Sequence, residues 1–201
     1  MAVSRLSQQS LINAFPKGNT IWDGTTATSA FDSIGTVVVG STSQSSIVFS
    51  NIPQTYTHLH IRMTAKDSYG TNQVNNLTMY FNADNTYTNY RTHYIGADGA
   101  NVSAAQYQLS GYYITPGDSL SSGSGYTNIA TSTIFDVLDY TNTSKTKTVK
   151  IFSGRDQSGS GNITFMSSLW LGTAAVSTMT FSVIGGYSFV SGTSISVYGV
   201  K

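Results

Sequence analysis

The chain has 201 residues, only 9% of them charged, a formal net charge of +1 and no cysteine, which excludes disulfides, thiolate chemistry and a basic field that would draw in nucleic acid or anionic lipid. It contains no Glu and few Lys or Leu, while Thr, Ser, Val, Ile, Tyr and Phe are plentiful, so the composition excludes a helical protein and favours pleated sheet with turns. One domain of this length can bury roughly 70% of its unfolded surface, no run of about 18 apolar residues suits a membrane span, and the opening MAVSRLSQQS lacks the apolar core of a signal peptide.

Residues 1–35 differ from the rest of the chain. Leu6, Leu11, Ile12, Phe15, Ile21 and Trp22 are scattered among polar residues, Ser4 suits a helix cap, and Pro16 stops any helix begun there. This segment reads as an arm, packed on its own domain or docked on a neighbour, with Leu6, Leu11, Phe15 and Trp22 as its contact residues. A sandwich domain is expected over 36–201.

Strand signals begin with Val37–Val39 and Ile47–Phe49 on either side of GSTSQS. His58 to Thr64 alternates strictly: Leu59, Ile61 and Met63 point one way, and His58, His60, Arg62 and Thr64 the other. Lys66 to Asn76 reads as a polar loop, Leu77 to Phe81 as a strand, and Asn82 to Asn85 as its closing turn. A tyrosine-rich stretch carries Tyr87, Tyr90, His93 and Tyr94; Gly96 to Asn101 turns; Tyr107 to Ile114 is an expected strand. Ser119 to Tyr126 and Arg155 to Asn162 read as Gly/Ser loops. Between them, Ile134 to Gly154 is the clearest strand–turn–strand signal, with Asp139 to Lys145 as the turn. Ile163–Leu171, Met179–Ile184 and Ser194–Tyr198 complete the chain as strands. The count is about nine to eleven short strands, which predicts an all-β, jelly-roll-like β-sandwich with an N-terminal arm.

Chemistry is sparse. Serines abound, yet no Gly-x-Ser-x-Gly elbow leads into a helix, and no Gly-Lys-Ser/Thr of a phosphate loop occurs. His58 and His60 share a strand face, but nothing in the sequence brings His93 to them, so they read as solvent-facing rather than as metal ligands. Asn82-Ala83-Asp84-Asn85-Thr86 imitates the start of a calcium loop and lacks its glycine and closing glutamate. Asp136 and Asp139 would need convergent geometry to serve a glycosidase, and hairpin hydrogen bonds or a pairing with a facing lysine explain them better. The expectation is no catalytic residue, no metal and no cofactor. Thirteen tyrosines remain. Tyrosine gives broad contact area at low entropy cost, which makes Tyr87, Tyr90 and Tyr126 candidates for a partner or a host-surface glycan.

Five stretches now read together: SIVFSNIPQTYTHLHIRMTA, LTMYFNADNTYTNYRTHYI, IFDVLDYTNTSKTKTVKIFSG, SSLWLGTAAVSTMTFSV and SISVYGVK. In order and spacing they resemble a β-sandwich module of virion structural proteins in tailed bacteriophages, familiar from marine and cyanobacterial phages. Asp139-Tyr140-Thr141-Asn142, Ser168-Leu169-Trp170-Leu171 and Val197-Tyr198-Gly199-Val200 carry most of the likeness, which spans residues 45–201. The resemblance implies a non-enzymatic virion protein, exposed on the particle as a short tail fibre, spike or receptor-contacting tip. It implies a homotrimer attached to another virion protein through the arm, made in the host cytoplasm, with neither nucleic acid nor membrane as partner. The chain departs from the fibre pattern in having no long repetitive shaft. Capsid decoration is the alternative within this class; a carbohydrate-binding module and a glycan-cleaving enzyme are the alternatives outside it.

Overall fold

The period-two alternation is realised as strands throughout. The computed structural model describes residues 31–70, 74–108, 113–121, 129–156 and 161–201; the arm residues Leu6, Leu11, Phe15 and Trp22 lie outside them, as does Tyr126. Twelve strands are described: β1 (Phe31–Val38), β2 (Ser46–Phe49), β3 (His58–Ala65), β4 (Val74–Phe81), β5 (Tyr90–Ala97), β6 (Val102–Tyr107), β7 (Asp118–Ser121), β8 (Thr131–Leu138), β9 (Lys147–Asp156), β10 (Gly161–Trp170), β11 (Met179–Val183) and β12 (Ser194–Val200). They form an eight-stranded sheet in the order β1-β12-β3-β8-β9-β10-β5-β6 and a four-stranded sheet in the order β2-β11-β4-β7, with every pairing antiparallel. The expected all-β sandwich is present.

The pairing is nested. β1 lies beside β12, β2 beside β11, β3 beside β8 and β4 beside β7, and these partners alternate between the large and small sheets. The hairpins β5–β6 and β9–β10 widen the large sheet on one side. β12 sits between β1 and β3, so the last strand is built into the sheet interior.

The core lies between the sheets. Leu59, Ile61 and Met63 of β3, Phe135 and Val137 of β8, and Ile195 and Val197 of β12 face Leu77, Met79 and Phe81 of β4 and Met179 and Phe181 of β11, all buried. Two edge-to-face ring pairs cross the gap: Phe135 on Phe181 at 6.0 Å and Trp170 on Phe81 at 5.6 Å. Each fully buried phenylalanine contributes about 1.5–3 kcal/mol by leaving water. Where strands turn hydroxyls inward they satisfy one another: Thr92 with Ser168 at 2.7 Å and Thr133 with Ser153 at 2.8 Å, each pair directly cross-strand.

The structure moves several expected boundaries. β1 begins at Phe31, so residues 31–35 belong to the sandwich rather than to an arm ending at residue 35. Its FDSIGTVV lacks clean alternation because the register shifts between Ser33 and Gly35, where a bulge turns Ile34 toward the core. Of the strand expected over Tyr107–Ile114, residues 109–112 lie outside the described residues; β6 runs from Val102 to Tyr107, and Ile114 makes an isolated bridge to Met79. β6 is a strand because β5 offers it a partner; VSAAQY has little β preference of its own. Of the Gly/Ser loop expected over Ser119–Tyr126, the first three residues belong to β7, which pairs with β4, and the rest lie outside the described residues.

Candidate interaction surface

The large sheet turns one face to the core and the other outward, and its registers order the outward side chains into rows. One row runs Ala104, Ile95, Phe165, Phe152, Ile134, Arg62, Ser196, Thr36 across β6, β5, β10, β9, β8, β3, β12 and β1. The next runs Gln106, His93, Ser167, Lys150, Asp136, His60, Tyr198, Ser33 over the same strands. The first row is apolar over five strands, and the second is polar throughout.

Phe165, Ile95 and Phe152 are 57%, 54% and 40% exposed. Phe152 and Phe165 stack, with ring centroids 4.6 Å apart and planes 28° from parallel. Ile163 and Val102 add exposed apolar area beside them. A shallow depression of about 380 Å³ between Ile134, Lys150, Phe152, Phe165 and Ser167 gives this region relief. Isolated exposed apolar residues are ordinary, but a contiguous apolar patch marks an interaction site.

At the polar end the side chains are tied together. His60 Nδ1 lies 2.6 Å from Asp136 Oδ1, so that nitrogen carries the proton, and Arg62 Nε donates to His60 Nε2 at 3.2 Å. Phe31 packs edge-on against the His60 ring at 5.2 Å. At the β8–β9 turn Lys145 pairs with Asp139, and its ammonium holds that carboxyl below the usual range. The Asp139 amide donates to His58 Nδ1 at 2.9 Å. Thus Asp136 and Asp139 both have structural partners, although the partner of Asp136 is a histidine of the neighbouring strand rather than the facing Lys150.

The Asn82–Thr86 turn is a structural node. Asp84 Oδ2 accepts from Trp170 Nε1 at 2.7 Å and from Asn89 Nδ2 at 2.9 Å, and Oδ1 accepts from the Thr86 amide at 3.1 Å. Burial pushes this carboxyl up, but the hydrogen bonds from Trp170, Asn89 and Thr86 outweigh it and hold the pKa below the ordinary aspartate value. Asn82 Oδ1 accepts from the amides of Ser177 and Thr178, fastening the same turn to the segment before β11. Among the described residues, no three His, Cys, Asp or Glu side chains gather as a metal site, and no helix is long and apolar enough to cross a membrane.

The tyrosine candidates separate. Tyr87 is exposed on the short 3-10 turn Tyr87–Asn89. Tyr90 is a correction: it is 1% exposed and belongs to the core. Its hydroxyl donates to the Asp84 carbonyl at 2.9 Å and accepts from the Phe81 amide at 3.2 Å, and burial pushes its pKa strongly upward. Its ring meets Tyr113, which meets Tyr80, so these tyrosines pack on one another. The exposed aromatics of the outer apolar row are Phe152 and Phe165, which the sequence presents as parts of apolar strands. A signal for Phe152 is nevertheless there: in Lys147–Phe152, Val149 and Ile151 share one face, which puts Phe152 with Lys150 on the other.

No protein-family model, no curated protein and no solved structure matches this chain.

Proposed function

We propose that this chain is a non-enzymatic structural protein of a tailed-phage virion, exposed on the particle as a short fibre, spike or receptor-contacting tip. The observation that carries the reading is the apolar row Ile95–Phe165–Phe152–Ile134 on the outer face of the large sheet. A face of stacked phenylalanines flanked by few charges is suited to burial against identical copies, and burial in an assembly stabilises the folded chain by mass action. The nested pairing of the two sheets supports a jelly-roll reading, an architecture that capsid and lectin domains use; this part is fold-level analogy.

In this reading the copies form a homotrimer, and Leu6, Leu11, Phe15 and Trp22 attach it to another virion protein. Capsid decoration is the alternative position on the particle. Light scattering across a concentration series tests the assembly: the wild-type chain forms a defined oligomer, and Phe165→Asp, at an exposed position, gives a folded monomer. A wild-type chain that stays monomeric at high concentration overturns the reading. Immunogold labelling of particles with an antibody to the sandwich then separates tail from capsid.

A further inference from the structure

Where the outer face turns polar it holds a groove that meets the apolar row only at Ile134. It measures about 410 Å³ and is lined by Arg62 and Thr64 of β3, Ser132 of β8, and Ser194, Ser196 and Tyr198 of β12. It runs into a smaller cup of about 160 Å³ formed by Phe31, His60, Arg62 and Tyr198. Arg62 and Tyr198 line both.

Three features define what fits. The first is a single aimed cation. Asp136 fixes the His60 tautomer, and His60 Nε2 takes the Arg62 Nε proton, which orients the guanidinium. Among the described residues none accepts from its two terminal nitrogens, and no carboxylate lines the groove. A guanidinium so presented matches a carboxylate in a two-pronged hydrogen bond. The second is a wall of hydroxyls, which both donate and accept and so match the alcohols of a sugar. The third is an aromatic rim of Tyr198 and Phe31, suited to the apolar face of a pyranose ring. A single cation balances one negative charge, which favours a carboxylate over a phosphate dianion.

We propose that this groove binds a carboxylate-bearing sugar, with the carboxylate on Arg62 and the ring hydroxyls on the serine and threonine hydroxyls of β3, β8 and β12. Asp136 and His60 are positioning residues for Arg62. The site goes beyond the assembly role and does not depend on it.

Titration of the ¹⁵N-labelled full chain with 3′-sialyllactose and with trigalacturonate, against lactose as the neutral control, tests the proposal by NMR. At least one acidic probe gives saturable shifts centred on β3 and β12, and lactose gives none at the same concentration. Arg62→Gln abolishes the shifts, Arg62→Lys weakens binding about tenfold by losing the fork, and Asp136→Asn weakens it while moving the Arg62 Nε–H resonance. Phe165→Asp leaves binding unchanged, which separates this site from the assembly face. The proposal is overturned if no acidic probe saturates, if lactose binds equally, or if Arg62→Gln binds as the wild type does. Acetate or phosphate competing as strongly as the sugars also overturns it, since the site is then a bare anion cup.

Discussion

Lys147 has no exposed surface, yet no carboxylate among the described residues lies within ion-pair distance of its ammonium. Its ammonium donates to the carbonyls of Asn142, Lys145 and Thr173 at 2.5, 2.8 and 2.9 Å, using all three protons. It pins the β8–β9 turn to the segment before β11, and burial draws its pKa below the ordinary lysine value. Lys147→Met keeps the stem but orphans three carbonyls, so it should cost about 2–4 kcal/mol in urea unfolding. A second single-atom constraint sits at Gly199, where a methyl group would lie 2.3 Å from the Tyr56 ring. Gly199→Ala should lose about 1–3 kcal/mol by overpacking, and most of that penalty should vanish in a Tyr56→Ala background, where a double-mutant cycle reads the coupling.

Among the elements, β1 tests where the sandwich starts. Residues 31–35 pair with Gly199, Tyr198, Val197 and Val200, and Asp32 meets Lys201 at 3.1 Å. A chain beginning at Thr36 should therefore unfold at lower urea concentration than one beginning at Phe31. β1 is hard to place from sequence because its bulge breaks the alternation that makes β3 legible from Leu59, Ile61 and Met63. The β8–β9 hairpin is legible for the opposite reason: its turn chemistry and both flanking apolar runs are local. The candidate surface is mostly hidden. Phe152 and Phe165 adjoin buried apolar neighbours in sequence, and only the registers place them side by side on the outer face. His60 and Asp136 are 76 residues apart, so no local pattern announces their contact. Composition alone suggests an exposed Tyr90, whereas its hydroxyl finds two backbone partners inside the core.

At the scale of the whole molecule, pH should act through two aspartates of opposite sign. Burial raises the pKa of Asp67, where Oδ2 has no hydrogen-bond partner among the described residues. A raised folded pKa contributes stability that is present below the unfolded value near 3.8 and is lost as pH rises through the folded value. Asp67→Asn should then melt at or above the wild-type temperature at pH 7, and the difference should shrink or reverse below pH 4. Asp84 has a lowered folded pKa, so its contribution is present above the unfolded value and is lost as pH falls through the folded one. Asp84→Asn should flatten the acid limb of the melting profile. Melts from pH 2 to 8 on the three proteins resolve both limbs.

The central place of β12 also bears on how the protein is made. Ser194–Val200 is the last of the twelve strands to be synthesised, yet it is the strand that joins β1 to β3. Until it leaves the ribosome, β1 has no partner among the other described strands, and β3 presents an open edge to it. The large sheet therefore closes late, through contacts between strands far apart in the chain, the kind that folds slowly. Chains stalled or clipped before Ser194 should accumulate with that slot empty, which makes them acceptors for a matching strand from another copy and a source of misassembly in the cell that makes them.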